Sequence, residues 1–86
     1  MTFAQLRSFS EVARHGSVTA AAHALGVTEP AVSSAVGALR RELGDELFIR
    51  EHNRIHLTPG GERLASVAAE ILLLADTARR DLRALH

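Results

Sequence analysis

Residues 24–36 read ALGVTEPAVSSAV. An alanine-rich apolar run stops at Gly26, a residue type that ends helices because it enters the left-handed backbone region without penalty. Thr28 follows almost at once as an N-cap, and Pro30 falls in the first turn of a new helix, where a missing N–H costs little. The helix before the break is VTAAAHAL, residues 18–25, capped by Ser17; the one after it covers about residues 28–43. Two short helices joined by a three- or four-residue turn form a helix-turn-helix, and that reading decides the fold.

The second of these helices has two unlike faces. At 100° per residue Val32, Ala35, Val36, Leu39 and Leu43 share one arc, the expected core side. The opposite arc holds Glu29, Pro30, Ser33, Ser34, Gly37, Arg40 and Arg41. The middle of that arc is small, so the helix backbone can come close to whatever it docks on, and Ser hydroxyls bond phosphates or base edges. Taken alone, the face reads equally as an ordinary solvated one. Inside a helix-turn-helix, the groove-facing reading is the expectation. Glu29 has a default role, stabilising the helix N-terminus through its dipole, and a sharper one, accepting a hydrogen bond from a cytosine amino group.

A first helix is expected over about Phe3 to His15, opened by a Thr2/Gln5 capping box and closed at Gly16, with Leu6, Phe9, Val12 and Ala13 on one face. Leu47-Phe48-Ile49 and Ile55-His56-Leu57 are short β-prone runs flanking REHNR, with Asn53 as a turn residue. They predict a two-stranded wing over about residues 47–57. Arg50 and Arg54 bracket it and are candidate phosphate contacts. A last helix starts in LTPGGE, with Thr58 as N-cap and Pro59 first inside, and continues to about Leu85.

The 86 residues make one small domain, near the low end of what folds on a single apolar core. Ala and Leu dominate, so a mainly α fold is expected. The chain has no cysteine, hence no disulfide framework and no thiol chemistry. Its longest apolar run, LASVAAEILLLA, is broken by Glu70 and is too short to span a bilayer. The N-terminus lacks the order of a secretion signal, so a soluble, cytoplasmic protein with no membrane partner is expected. The net charge is zero, and all ten basic residues are Arg. Zero charge weakens any nucleic-acid reading that rests on charge alone.

In the last helix Leu64, Val67, Ile71, Leu74 and Ala78 follow a 3–4 spacing, and Leu82 and Leu85 continue it after a slip at Asp81. A second stripe of Ala65, Ala68, Leu72 and Ala75 faces elsewhere. The second stripe suits the domain's own core and the first a homodimer seam, because the helix outlasts the domain it packs on. A single wide core-facing stripe is the alternative. Asp76 and Arg80, four apart, are expected to support the outer surface.

Together LRSFSEVARHGSVTAAAHALGVTEPAVSSAVGALRRELGDELFIR and the following LTPGGE resemble, in order, the N-terminal DNA-binding domain of LysR-type transcriptional regulators. The resemblance implies a mainly α winged helix-turn-helix over residues 1–58 and a linker and dimerisation helix over 59–86. It implies a dimer on an inverted-repeat operator in double-stranded DNA, with Thr28, Glu29, Pro30, Ser33, Ser34 and Gly37 on the base-reading side. It also implies a C-terminal domain that senses a small-molecule effector, so this chain is expected to be one piece of a longer protein, with RNA polymerase a candidate partner. The family commonly has Gln at the Glu29 position, often a basic or amide residue at Ser34, and Leu-Glu where this chain has Leu39-Arg40.

No enzyme is expected. The chain has no nucleophile elbow, no Gly-rich phosphate loop and no carboxylate pair in a recognisable motif. No metal or other cofactor is expected either. His52 and His56 lie in the expected hairpin, where a spacing of four does not put both on one helical face. The three Phe are expected to be buried or semi-buried, which leaves no exposed stacking platform for single strands. The remaining rival is a helical protein–protein dimerisation module with no DNA affinity of its own, and zero net charge is its best support.

Overall fold

The computed structural model describes all 86 residues. Its elements are α1 (Phe3–His15), α2 (Val18–Leu25), α3 (Glu29–Leu43), β1 (Phe48–Glu51), β2 (Arg54–Leu57) and α4 (Pro59–Ala84). Every helix begins at a hydroxyl cap. Thr2 and Gln5 form a reciprocal box, and Ser17, Thr28 and Thr58 each accept from the backbone N–H three residues on. Gly26 stops α2 in the left-handed region at φ 68°, and Val27 N–H bonds the Ala22 carbonyl at 3.0 Å. The chain therefore turns within residues 26–28 and starts α3 at a fixed angle to α2.

Phe9 and Val12 of α1, Ala21 of α2, and Val32, Val36 and Leu39 of α3 are almost wholly buried, and Leu47 and Phe48 close that core from the side of the hairpin. α1 lies at the centre, packed on α2, α3 and α4. Two core expectations need correction. Leu43 keeps the angular position of a core residue but is 42 % exposed. It stands in the last turn of α3, with Gly44 breaking the helix behind it. Phe3 is 49 % exposed, because it opens α1 beyond the end of the core; the Arg79 guanidinium lies over its ring at 5.8 Å.

The hairpin is tighter than the sequence suggests. Pairing runs from Phe48↔Leu57 to Glu51↔Arg54, so only His52 and Asn53 remain as the turn. Both have positive φ, 52° and 61°, the signs of the turn whose twist suits a two-residue hairpin. Leu47 lies outside β1 with φ 69° and is 1 % exposed. Burying its side chain between the helices holds this left-handed conformation, which costs on the order of 1–3 kcal/mol for a residue with a Cβ.

The start of α4 is clamped to that turn. Asp45 accepts from Leu47 N–H and from the Thr58 hydroxyl, both at 2.7 Å, and Thr58 N–H bonds the Leu47 carbonyl at 3.0 Å. Those bonds, Leu47 N–H first and then Thr58, hold the Asp45 carboxyl below its ordinary range. Gly61 lets α4 come this close, since a Cβ there would overlap the Leu47 carbonyl. From this anchor α4 runs along α1 and beyond it, in a molecule 50 × 25 × 19 Å. No helix is long and apolar enough to cross a membrane.

Candidate nucleic-acid interface

α3 presents its small-residue side next to the hairpin. Thr28, Glu29, Pro30, Ser33 and Ser34 are exposed and Gly37 is half-buried, so the structure brings the six predicted recognition residues onto one open surface. A Cβ at Gly37 would meet only Nη1 of Arg41, at 3.4 Å. Arg41 therefore lies back along the same surface, unpaired and exposed, a cation that sequence reading left out of the candidate set. A long side chain in the last turn leans towards the helix N-terminus, and that rule could have found it.

Arg40 does something else. Its Nε donates to the Glu46 carbonyl at 2.6 Å and its Nη2 to the Phe48 carbonyl at 3.2 Å, with the guanidinium 4.5 Å from the Phe48 ring centroid. The positive charge that sequence reading returned to the outer arc of α3 is thus spent on fastening α3 to the base of the wing. A planar fork with several donors suits that task, and Lys would not reproduce it.

The two wing arginines separate. Arg50 pairs across the ribbon with Ile55, and Arg54 with Glu51, so alternation puts Arg50 and Arg54 on opposite faces. Arg50 shares its face with buried Phe48 and lines both grooves that flank the wing, one against Ser33, Val36 and Arg40 and one against Ser17, Thr19 and Glu29. Arg54 is on the outer face with Ile49 and His56. Both arginines are exposed and neither makes an ion pair. The zero net charge is a sum over the chain, and several acids are engaged in ion pairs that do not involve Arg41, Arg50 or Arg54. Glu11 pairs with Arg14 and His15, Glu42 with the terminal ammonium, and Asp76 with Arg7 and Arg79.

Glu29 is not held only by its own helix. The Thr19 hydroxyl of α2 donates to Glu29 Oε1 at 2.8 Å. The two residues are ten apart in sequence, and only the angle between α2 and α3 makes them neighbours.

The predicted seam of α4 divides. Leu64 packs against the domain's own core, and Val67 and Ile71 are half-buried. Leu74 and Leu82 are 69 % and 59 % exposed, and Ala78 is exposed as well. Leu85, which continues that stripe, is 78 % exposed, and Leu73, outside it, is 61 % exposed. Ala68 of the second stripe is fully buried, while Leu72 is half-buried. Asp76 does not pair with Arg80, whose Nη2 donates to Thr77 instead. Asp76 faces α1, accepts from Arg7 at 3.0 Å and Arg79 at 2.8 Å, and has its pKa lowered chiefly by Arg7.

The family model of the bacterial regulatory helix-turn-helix proteins of the lysR family matches residues 3–62. An uncharacterized HTH-type transcriptional regulator of Mycobacterium tuberculosis is 57 % identical over 72 residues, which cover 84 % of this chain and 22 % of that protein. The chain thus spans between a fifth and a quarter of the length of the first curated relatives it matches. Among solved structures, the CbnR_DBD–DNA complex superposes with a TM-score of 0.89 at 38 % identity, covering 99 % of this chain and 98 % of that one. The BenM_DBD/catB site 1 DNA complex superposes with a TM-score of 0.93 at 28 % identity, covering 99 % and 96 %. The fold, the order of motifs and the matched segment agree: the chain belongs to the LysR family of bacterial regulatory helix-turn-helix proteins.

Proposed function

We propose that this chain is the sequence-specific DNA-binding domain of a transcriptional regulator, with α3 in the major groove and the wing on the flanking backbone or minor groove. The observation that carries this reading is the open, small-residue side of α3 lying beside a wing with two unpaired arginines. Small residues admit the helix to the groove, and Arg41, Arg50 and Arg54 supply the phosphate contacts that fix its register. The DNA complexes among the structural relatives support the same reading.

The domain acts as a homodimer through the distal half of α4. Leu74, Ala78 and Leu82 remain exposed where the helix runs past the core, and large exposed apolar side chains in a row mark an interface. Two copies so joined match an inverted-repeat operator. In the longer protein a further domain senses a small-molecule effector, RNA polymerase is a partner, and the regulator works in the cytoplasm; the greater length of the curated relatives supports that organisation.

Fluorescence anisotropy with the duplex upstream of the gene, and with a scrambled duplex, tests the proposal. Tighter binding to the upstream duplex, weakened steeply by salt, is the expected result. Absence of binding to both at low salt overturns it in favour of a dimerisation module.

A further inference from the structure

The side of α3 that faces outward carries no basic residue in its first two turns. Glu29 is the only ionisable residue of α3 there: Arg40 is engaged with the wing base, Arg41 reaches back only as far as Gly37, and the nearest cation across the groove is Arg50 of the wing. The remaining polar atoms are the Ser33 and Ser34 hydroxyls, which donate or accept and so discriminate weakly between bases. Any sharp choice of base by this end of α3 falls to a carboxylate.

A carboxylate only accepts. In the major groove the donors are the amino groups of cytosine and adenine; guanine and thymine present acceptors and repel it. Adenine places its N7 acceptor beside its amino group, whereas cytosine carries no acceptor on that edge. The chemistry therefore orders the bases, with cytosine first and guanine and thymine last. Such a group also opposes the phosphates on either side, so it lowers affinity for every duplex while separating one base from another.

Discrimination requires that the carboxylate cannot swing away. The Thr19 hydroxyl holds Oε1 of Glu29 at 2.8 Å and leaves Oε2 free. Thr19 itself stands in the first turn of α2, whose start is fixed by the Ser17 cap. Resting on the DNA-binding reading above, we infer that Glu29 is a specificity-determining residue selecting cytosine at one operator position, and that Thr19 is the positioning residue that aims it. The helix-dipole role of Glu29 affects the melting temperature but not which base is chosen, so the two roles separate experimentally.

The test is enrichment of randomised duplexes by this chain and by Glu29→Gln, Glu29→Ala, Thr19→Val and Thr19→Ser, each checked for helix content and melting temperature. The unsubstituted chain is expected to enrich a motif with cytosine in at least one column. E29Q shifts that column to adenine, which offers an amide its paired donor and acceptor, and binds all duplexes more tightly. E29A flattens the column, lowering the preference by roughly five- to tenfold, the smaller end of what one good base contact supplies. T19V weakens the same preference without changing the base chosen, and T19S restores it. An E29A motif identical to that of the unsubstituted chain overturns the inference, and a T19V motif identical to it overturns the role of Thr19. If the unsubstituted chain enriches no motif and binds no duplex, the DNA-binding reading itself fails, a result distinct from both.

Discussion

Gly61→Ala and Gly37→Ala are the same chemical change in two helices, and the structure assigns them opposite signs. In an unobstructed helix interior, Ala in place of Gly stabilises by up to about 1 kcal/mol. Gly37 meets that condition, since its added Cβ reaches only the flexible end of Arg41, at 3.4 Å. At Gly61 the Cβ would lie inside the contact radius of the Leu47 carbonyl. Relief requires a shift of roughly an ångström or more between α4 and residues 45–47, enough to strain the Thr58–Leu47 bond at 3.0 Å and the Asp45–Thr58 bond at 2.7 Å. Overpacking of this kind costs about 1–3 kcal/mol, and one weakened backbone bond about 1 kcal/mol more. After the helix-propensity gain is deducted, G61A should lose about 2 kcal/mol. In a domain of this size that lowers the melting temperature by roughly 8–16 °C, while G37A raises it by a few degrees. Thermal melts followed by circular dichroism, with urea titrations to check the slope, decide the matter. A G61A melting temperature equal to or above that of the unsubstituted chain would refute the close approach of α4 to Leu47.

Replacing Arg50 or Arg54 by Ala should each reduce the slope of log affinity against log salt by about 0.9, with thermal stability unchanged, measured by anisotropy at several salt concentrations. Arg40→Ala should loosen the wing by freeing the Glu46 and Phe48 carbonyls, seen as faster hydrogen exchange over residues 46–57 that Arg40→Lys only partly prevents. Asp45 and Asp76 both have carboxyl pKa values lowered in the folded chain. The unfolded chain therefore binds their protons first, so their stabilisation is complete above about pH 4 and disappears as pH falls through the lowered values. Melting temperatures between pH 6 and pH 2 should show this loss, and Asp45→Asn should make it shallower. Paired Leu74→Glu and Leu82→Glu substitutions should shift sedimentation towards the monomer while leaving the winged domain folded, since both side chains are largely exposed.

Most of the local structure was already written in short-range chemistry. Hydroxyl caps at Thr2, Ser17, Thr28 and Thr58, and glycines after α1, α2 and α3, set the helix boundaries to within a residue or so, because caps and stops act over one turn. The outward face of α3 was legible for the same reason: helical periodicity alone separates Ser33, Ser34 and Gly37 from Val32, Val36 and Leu39. Long-range placement was not legible. Nothing near Arg40 in the chain tells that it will grip the wing base, nor does Asp76 reveal that it pairs with Arg7 across 69 residues. Leu43 had the right angle for the core but the wrong height along the helix, and periodicity carries no information about height. The left-handed Leu47 and the link between Thr19 and Glu29 likewise depend on how finished helices pack. The sequence by itself determined where helices start, stop and turn their apolar sides, because those are interactions between neighbours a few residues apart. The tertiary structure decided which charged side chains remain free to meet a ligand, because that depends on partners brought together only when the core closes.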